Sequence, residues 1–81
     1  MPYDEDTVED LKNVIGYMGI EILVAIYNGA KNYEMIKLFS GLPISCINGR
    51  LPVLIDLGLI KKNDNEYFLT EKGVFFRKRL E

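Results

Sequence analysis

Across residues 20–27 every position except Glu21 is apolar, so a helix built from this stretch has no polar side to turn to water. It has to be covered all round, and in a chain of 81 residues that makes it the centre of the fold. The remaining sequence must supply the cover. Residues are 48% apolar and 27% charged, the profile of one folded domain rather than of a disordered tail. A chain this short buries only about 60–65% of its unfolded surface, so its core is thin and a partner subunit is a natural source of further cover.

The punctuation on either side of the central stretch defines the other elements. Before it, Val8, Leu11, Val14, Ile15 and Met18 fall on a helical stripe. Asp6 or Thr7 is the expected N-cap, with Glu9 or Asp10 at capping-box spacing. Gly16 and Gly19 interrupt that stripe and predict a kink or a break. Asn28-Gly29 is a C-terminal stop. Asn32 is placed to cap a short helix over residues 33–40, ended by Gly41, and Pro43 suits a turn or the first helical position. A further helix then runs to Leu57 with Ile47, Leu51 and Leu54 as its core stripe, closed by Gly58 and the apolar Leu59. Residues 59–62 and 66–69 read as two short strands joined by Asn63-Asp64-Asn65. Thr70 caps a last helix over residues 71–80, with Glu71 near its start and Arg77, Lys78 and Arg79 near its end, as the helix dipole favours. Two short helices around a tight turn, followed by a hairpin, form a helix-turn-helix with a wing. The fold class is mainly α with a small β-hairpin (α+β).

Several function classes drop out on composition. There is no His, so no Ser–His or Cys–His nucleophilic pair can form, and Cys46 is the sole cysteine, so neither an intrachain disulfide nor a Cys-cluster zinc site is available. No EF-hand spacing, Gly-rich phosphate loop or GxSxG occurs. The expectation is a binding protein, not an enzyme, with no cofactor and no metal. No run of about 18 uncharged apolar residues exists to span a membrane. The acidic start (Asp4, Glu5, Asp6) has the wrong sign for a targeting peptide, so a cytoplasmic chain is expected.

The net charge of −2 conceals an uneven distribution. Residues 1–30 hold six acids and one base, whereas residues 31–62 hold Lys31, Lys37, Arg50, Lys61 and Lys62 against Glu34 and Asp56. One side suited to a polyanion and one turned away from it would account for this, although small proteins also show uneven charge by chance.

Residues 41–60, GLPISCINGRLPVLIDLGLI, resemble the turn and recognition helix of winged helix-turn-helix transcriptional regulators. Residues 67–73, YFLTEKG, resemble the segment leaving the wing in MarR-, PadR- and HxlR-like proteins. With residues 22–27 as the first helix of such a domain, the resemblance covers about residues 18–76. It implies one winged-helix domain over residues 1–81: an N-terminal helix over 1–17 serving dimerisation, a core over 18–70 and a C-terminal helix over 71–81. It also implies a regulator that binds double-stranded DNA, generally as a homodimer. Such minimal forms occur in archaea and their viruses and plasmids, and abundant Ile with no Gln, His or Trp fits that source.

Carried over by position, Ser45, Cys46, Asn48, Gly49 and Arg50 match the exposed face of the recognition helix, about residues 44–57, and Lys61, Lys62, Asn63 and Asn65 match the wing, about residues 61–67. The chemistry at these positions is suitable. Arg50 can fork onto guanine O6 and N7, and Asn48 can pair with adenine N6 and N7. Lys61 and Lys62 can hold phosphates without sequence choice. The other reading of Arg50 is a surface salt bridge to Asp56, and that of the lysines is a solvated strand end. Cys46 reads as a small helix residue rather than a redox switch. Three features depart from the family pattern: Pro52 inside the recognition helix, apolar Val53 and Ile55 where charges are usual, and the overall acidity. Val8, Leu11, Ile15 and Phe75 are the candidate dimer interface, the other arrangement being that the first helix folds back on its own domain. The alternative function is a winged-helix module for protein–protein contact without DNA binding.

Overall fold

The computed structural model describes the backbone of residues 5–80 and the side chains of residues 8–80. Residues 1–4, Asp4 among them, and the capping side chains expected of Asp6 and Thr7 lie outside that description. The elements run α1 (Glu5–Tyr27), α2 (Tyr33–Ser40), α3 (Ile44–Asp56), β1 (Ile60–Asn63), β2 (Glu66–Leu69) and α4 (Glu71–Arg79). This is the mainly α, hairpin-bearing architecture expected of a winged helix.

α1 is the hub, packing against α2, α3, α4 and β2. Its apolar half is buried as its composition requires, with Ile22, Leu23, Ala25 and Ile26 all inside. The predicted interruption falls at Gly16, which leaves helical geometry at φ +67° and ψ −174°. Gly19 stays helical but lies directly over Ile15, whose Cβ would be 2.7 Å from a Cβ at position 19. The break therefore lets the first half of α1 turn and set Ile15 against the second half.

That turn gives the first stripe a cover within the chain. Val8, Leu11 and Ile15, read as a surface for a second subunit, are only 4%, 9% and 1% exposed within a single chain. The first helix folds back on its own domain, because a thin core is covered most readily by the nearest apolar stripe. Phe75, the fourth residue of that set, is half-buried against the core with the Arg79 guanidinium 4.8 Å from its ring centre. Large apolar side chains left outside on α1 are Val14, Tyr17 and Met18 around the kink, and Tyr27 at its end.

The other stops behave as their residues dictate. Asn32 Oδ1 accepts the Met35 N–H at 2.9 Å to open α2, and Gly41 closes it in the left-handed region, donating to the Lys37 carbonyl at 2.8 Å. After a three-residue connection α3 sets off at a bend of 107° from α2, within the range of helix-turn-helix units. Gly58, at φ +75°, ends α3, with its N–H on the Ile55 carbonyl and that of Leu59 on the Leu54 carbonyl. Because the Leu59 N–H is committed to that cap, β1 starts at Ile60, one residue later than the apolar pattern predicts. The hairpin pairs Lys62 with Tyr67 and Asn63 with Glu66, so Asp64 and Asn65 alone form the loop. Their φ values of 52° and 68° are those of a two-residue turn that matches strand twist.

Among the described residues no polar or charged side chain is buried.

Candidate nucleic-acid interface

α3 is anchored by Ile47, Leu51 and Leu54, all inside the core at i, i+4 and i+7. That spacing fixes which residues face out. Ser45, Asn48, Gly49 and Arg50 are exposed, and Cys46 is half-buried. Directly opposite the anchoring stripe lie Ser45, Gly49, Pro52 and Asp56. Asn48 and Arg50 sit on opposite flanks, since residues two apart on a helix do not face each other. A Cβ added at Gly49 would meet nothing within 4 Å, so this part of the ridge is open backbone. Pro52 is exposed and the helix continues through it to Asp56. Pro52 cannot bond the Asn48 carbonyl, and both residues are exposed. Among the described residues Arg50 pairs with no carboxylate; Asp56 is six positions on and a third of a turn away, too far round for a local ion pair.

All four predicted wing residues, Lys61, Lys62, Asn63 and Asn65, are exposed. Alternation along a strand sends the two lysines to opposite faces of the hairpin. Lys62 shares a face with its cross-strand partner Tyr67, its ammonium 5.8 Å from the ring centre. Lys61 shares the other face with Phe68, and the ammonium of Lys31 lies 5.9 Å from that ring. The wing is tied to the body by the Tyr67 N–H, which donates to the Lys31 carbonyl at 2.8 Å. Tyr67 OH in turn donates to Tyr33 OH at 3.3 Å, the rings meeting edge to face. Burial first, and then the Tyr33 hydroxyl and its charge, push the Tyr67 hydroxyl up to about 12. An open groove of about 420 Å³ runs between the start of α2 and the wing, bordered by Asn32, Tyr33, Lys62 and Asn65.

The angle between wing and α3 is set by three consecutive carbonyls. At the end of α3 the carbonyls of residues 57, 58 and 59 have no helical partner. Lys72 Nζ donates to the Leu57 carbonyl at 2.7 Å, Thr70 Oγ1 donates to that of Gly58, and the Thr70 N–H donates to that of Leu59 at 3.1 Å. The same Thr70 oxygen accepts the Gly73 N–H at 3.0 Å, capping α4. Gly73 lies so close to the residue before β1 that a Cβ there would be 2.0 Å from the Leu59 oxygen. The first turn of α4 thus grips the junction between α3 and the wing.

Of the DNA-contact residues that sequence reasoning named on α3 and the wing all are exposed except the half-buried Cys46, while Lys31 entered that reasoning only through the charge count and Tyr33 and Lys72 had no assigned partner. Lys31 and Tyr33 act through long-range partners in β2, which no local spacing encodes. For Lys72 the sole hint was its place between a capping Thr and a Gly. A family model described as winged helix-turn-helix matches residues 18–81. No curated protein matches the chain.

Proposed function

The chain belongs to the winged helix-turn-helix family, and from that membership we propose that it is a double-stranded DNA-binding transcriptional regulator of the MarR-, PadR- and HxlR-like kind. It acts as a homodimer in the cytoplasm, with residues 44–57 in the major groove and residues 61–67 along the backbone. The observation that carries this reading is the ridge of α3. Its anchoring stripe is wholly buried while Ser45, Asn48, Gly49 and Arg50 stand in solvent, and Lys31, Lys37, Lys61 and Lys62 on the neighbouring elements are exposed as well. An outward helix with hydrogen-bonding side chains can read base edges, and lysines beside it neutralise phosphates. The acids of α1 lie on an element apart from α3 and the hairpin, and in the wing Asp64 and Glu66 sit at its tip, beyond Lys61 and Lys62 in sequence.

For the homodimer, the surface open to a second copy is Val14, Tyr17 and Met18, with Tyr17 71% exposed. A second reading has one observation in its favour: Leu38 on α2 is 80% exposed and Phe39 beside it is also outside, a surface suited to protein contact.

Fluorescence anisotropy with a random-sequence duplex tests the proposal. If five bases meet phosphates, log K falls against log salt with a slope of about −4.5. A chain that retains no duplex at about 50 mM salt is the protein-contact module instead.

A further inference from the structure

The part of the helix-turn-helix that leads into the groove carries no charge. Between Lys37 and Arg50 lie twelve residues, 38–49, without an acid or a base, spanning the end of α2, the turn and the first half of α3. This constrains what that half-helix can read. Guanine is read by the fork of Arg or the ammonium of Lys, and cytosine by a carboxylate. Residues 44–49 offer none of these. They offer Asn48, whose amide matches adenine N6 and N7, and the apolar Ile44, which suits the thymine methyl.

Position on the helix supports the same choice. Ile44 and Asn48 are one turn apart on one flank of α3, and both are exposed. From the mid-line of the outward face, Ser45-Gly49-Pro52, Asn48 lies about a quarter turn away and Arg50 about a third of a turn to the other side. A roll of the helix that brings Asn48 onto the base edges carries Arg50 towards the sugar–phosphate wall. Ser45 and Gly49 leave the mid-line low, so the ridge can sit close to the floor of the groove. Asp56 stands on that mid-line at the far end, where a carboxylate repels phosphate, so the N-terminal half of α3 is the half that enters.

Resting on the DNA-binding reading, we propose that α3 recognises A·T pairs. Asn48 pairs with adenine, Ile44 covers a neighbouring thymine methyl, and Arg50 holds a phosphate rather than a guanine.

Selection of bound duplexes from a random pool by the full chain, followed by anisotropy on the enriched duplex, decides the matter. Enrichment of A·T pairs at the recognised positions is expected. Asn48→Ala then loses discrimination at one such pair by about 5- to 150-fold. Replacing the thymines by uracil, which deletes only the methyl, weakens the wild type about fourfold but leaves Ile44→Ala unchanged. Arg50→Ala weakens all duplexes alike. Enriched G·C pairs whose preference vanishes with Arg50→Ala would overturn the inference and leave the regulator standing, as would duplex binding with no base preference. Absence of any duplex binding overturns both. Ile44, Asn48 and Arg50 are all exposed, and a thermal melt matching the wild type shows that each variant is folded.

Discussion

Two glycines of this fold, one exposed and one buried, respond to the same substitution in opposite directions. In Gly73→Ala the new Cβ starts 2.0 Å from the Leu59 oxygen, 3.0 Å from the Leu59 carbonyl carbon and 3.3 Å from Leu69 Cδ2. Side-chain carbons essentially never approach within 3.0 Å, so α4 has to retreat by about 1 Å from the Leu59 backbone. Overpacking of this kind costs about 1–3 kcal/mol, partly offset by the roughly 1 kcal/mol by which Ala exceeds Gly in a helix. The retreat also loosens the Thr70 and Lys72 bonds to the α3–wing junction, about 1 kcal/mol each if lost. A net loss of about 1–3 kcal/mol lowers the melting temperature by roughly 5–20 °C in a domain of this size. Gly49→Ala meets nothing within 4 Å and occupies a helix interior at ordinary φ, so the helix-propensity gain alone operates. Its melting temperature rises by about 3–8 °C. Thermal denaturation followed by far-ultraviolet circular dichroism reads both. A Gly73→Ala protein that melts within about 2 °C of the wild type, or a pair that shifts in the same direction, would refute the close-approach argument. Gly49→Ala carries a functional consequence as well. The added methyl stands on the groove-facing ridge, so the more stable variant binds duplex more weakly.

Three further outcomes follow from the same geometry. Lys62→Ala weakens every duplex by a similar factor and reduces the salt slope by about one, as measured by anisotropy at several salt concentrations. Tyr67 titrates near 12 in the fold against about 10 when unfolded, so its burial stabilises fully below pH 10 and that contribution disappears as pH climbs from 10 to 12. Melts across that window show a steeper decline for wild type than for Tyr67→Phe, and parallel curves would contradict it. In sedimentation the wild type runs at about twice 9.3 kDa, whereas Tyr17→Glu runs at 9.3 kDa. A wild type that already sediments as the single chain removes the homodimer.

Whatever depended on neighbouring residues was legible in the sequence. The Asn32 and Thr70 caps and the Gly41 and Gly58 stops each follow from a side chain or a φ requirement acting within five positions, whereas the expected Asn63-Asp64-Asn65 connection shortens to Asp64-Asn65 because Asn63 pairs with Glu66. The outward face of α3 was equally legible, because Ile47, Leu51 and Leu54 fix it by helical period alone. What was not legible involved a choice between covers. The stripe Val8-Leu11-Ile15 announces that something must pack on it, but period cannot say whether that is the same chain or another. The swivel at Gly16 decided it. Gly73 read as an ordinary part of a family-like segment, since a close approach to Leu59 exists only once the hairpin has folded back over the end of α3.

The grip of α4 on the α3–wing junction bears on how a fold with so few base-reading side chains can be selective. Phosphate contacts fix the orientation of a protein on a duplex, and base contacts choose the sequence, but the second depends on the first being held in register. If the wing could swing independently, Lys61 and Lys62 would find phosphates in many orientations of α3, and Asn48 would meet a base edge in few of them. Thr70 and Lys72 tie the carbonyls of residues 57–59, the very link between helix and hairpin, to one helix end. The Tyr67 bond to the Lys31 carbonyl fixes the hairpin a second time, from the side of α1. Two ties on either side of a two-stranded wing leave it little freedom to rotate. On the proposed DNA-binding reading the lysines would therefore orient the half-helix that carries Asn48, and selectivity would arise from rigidity between the two rather than from the number of contacts either makes.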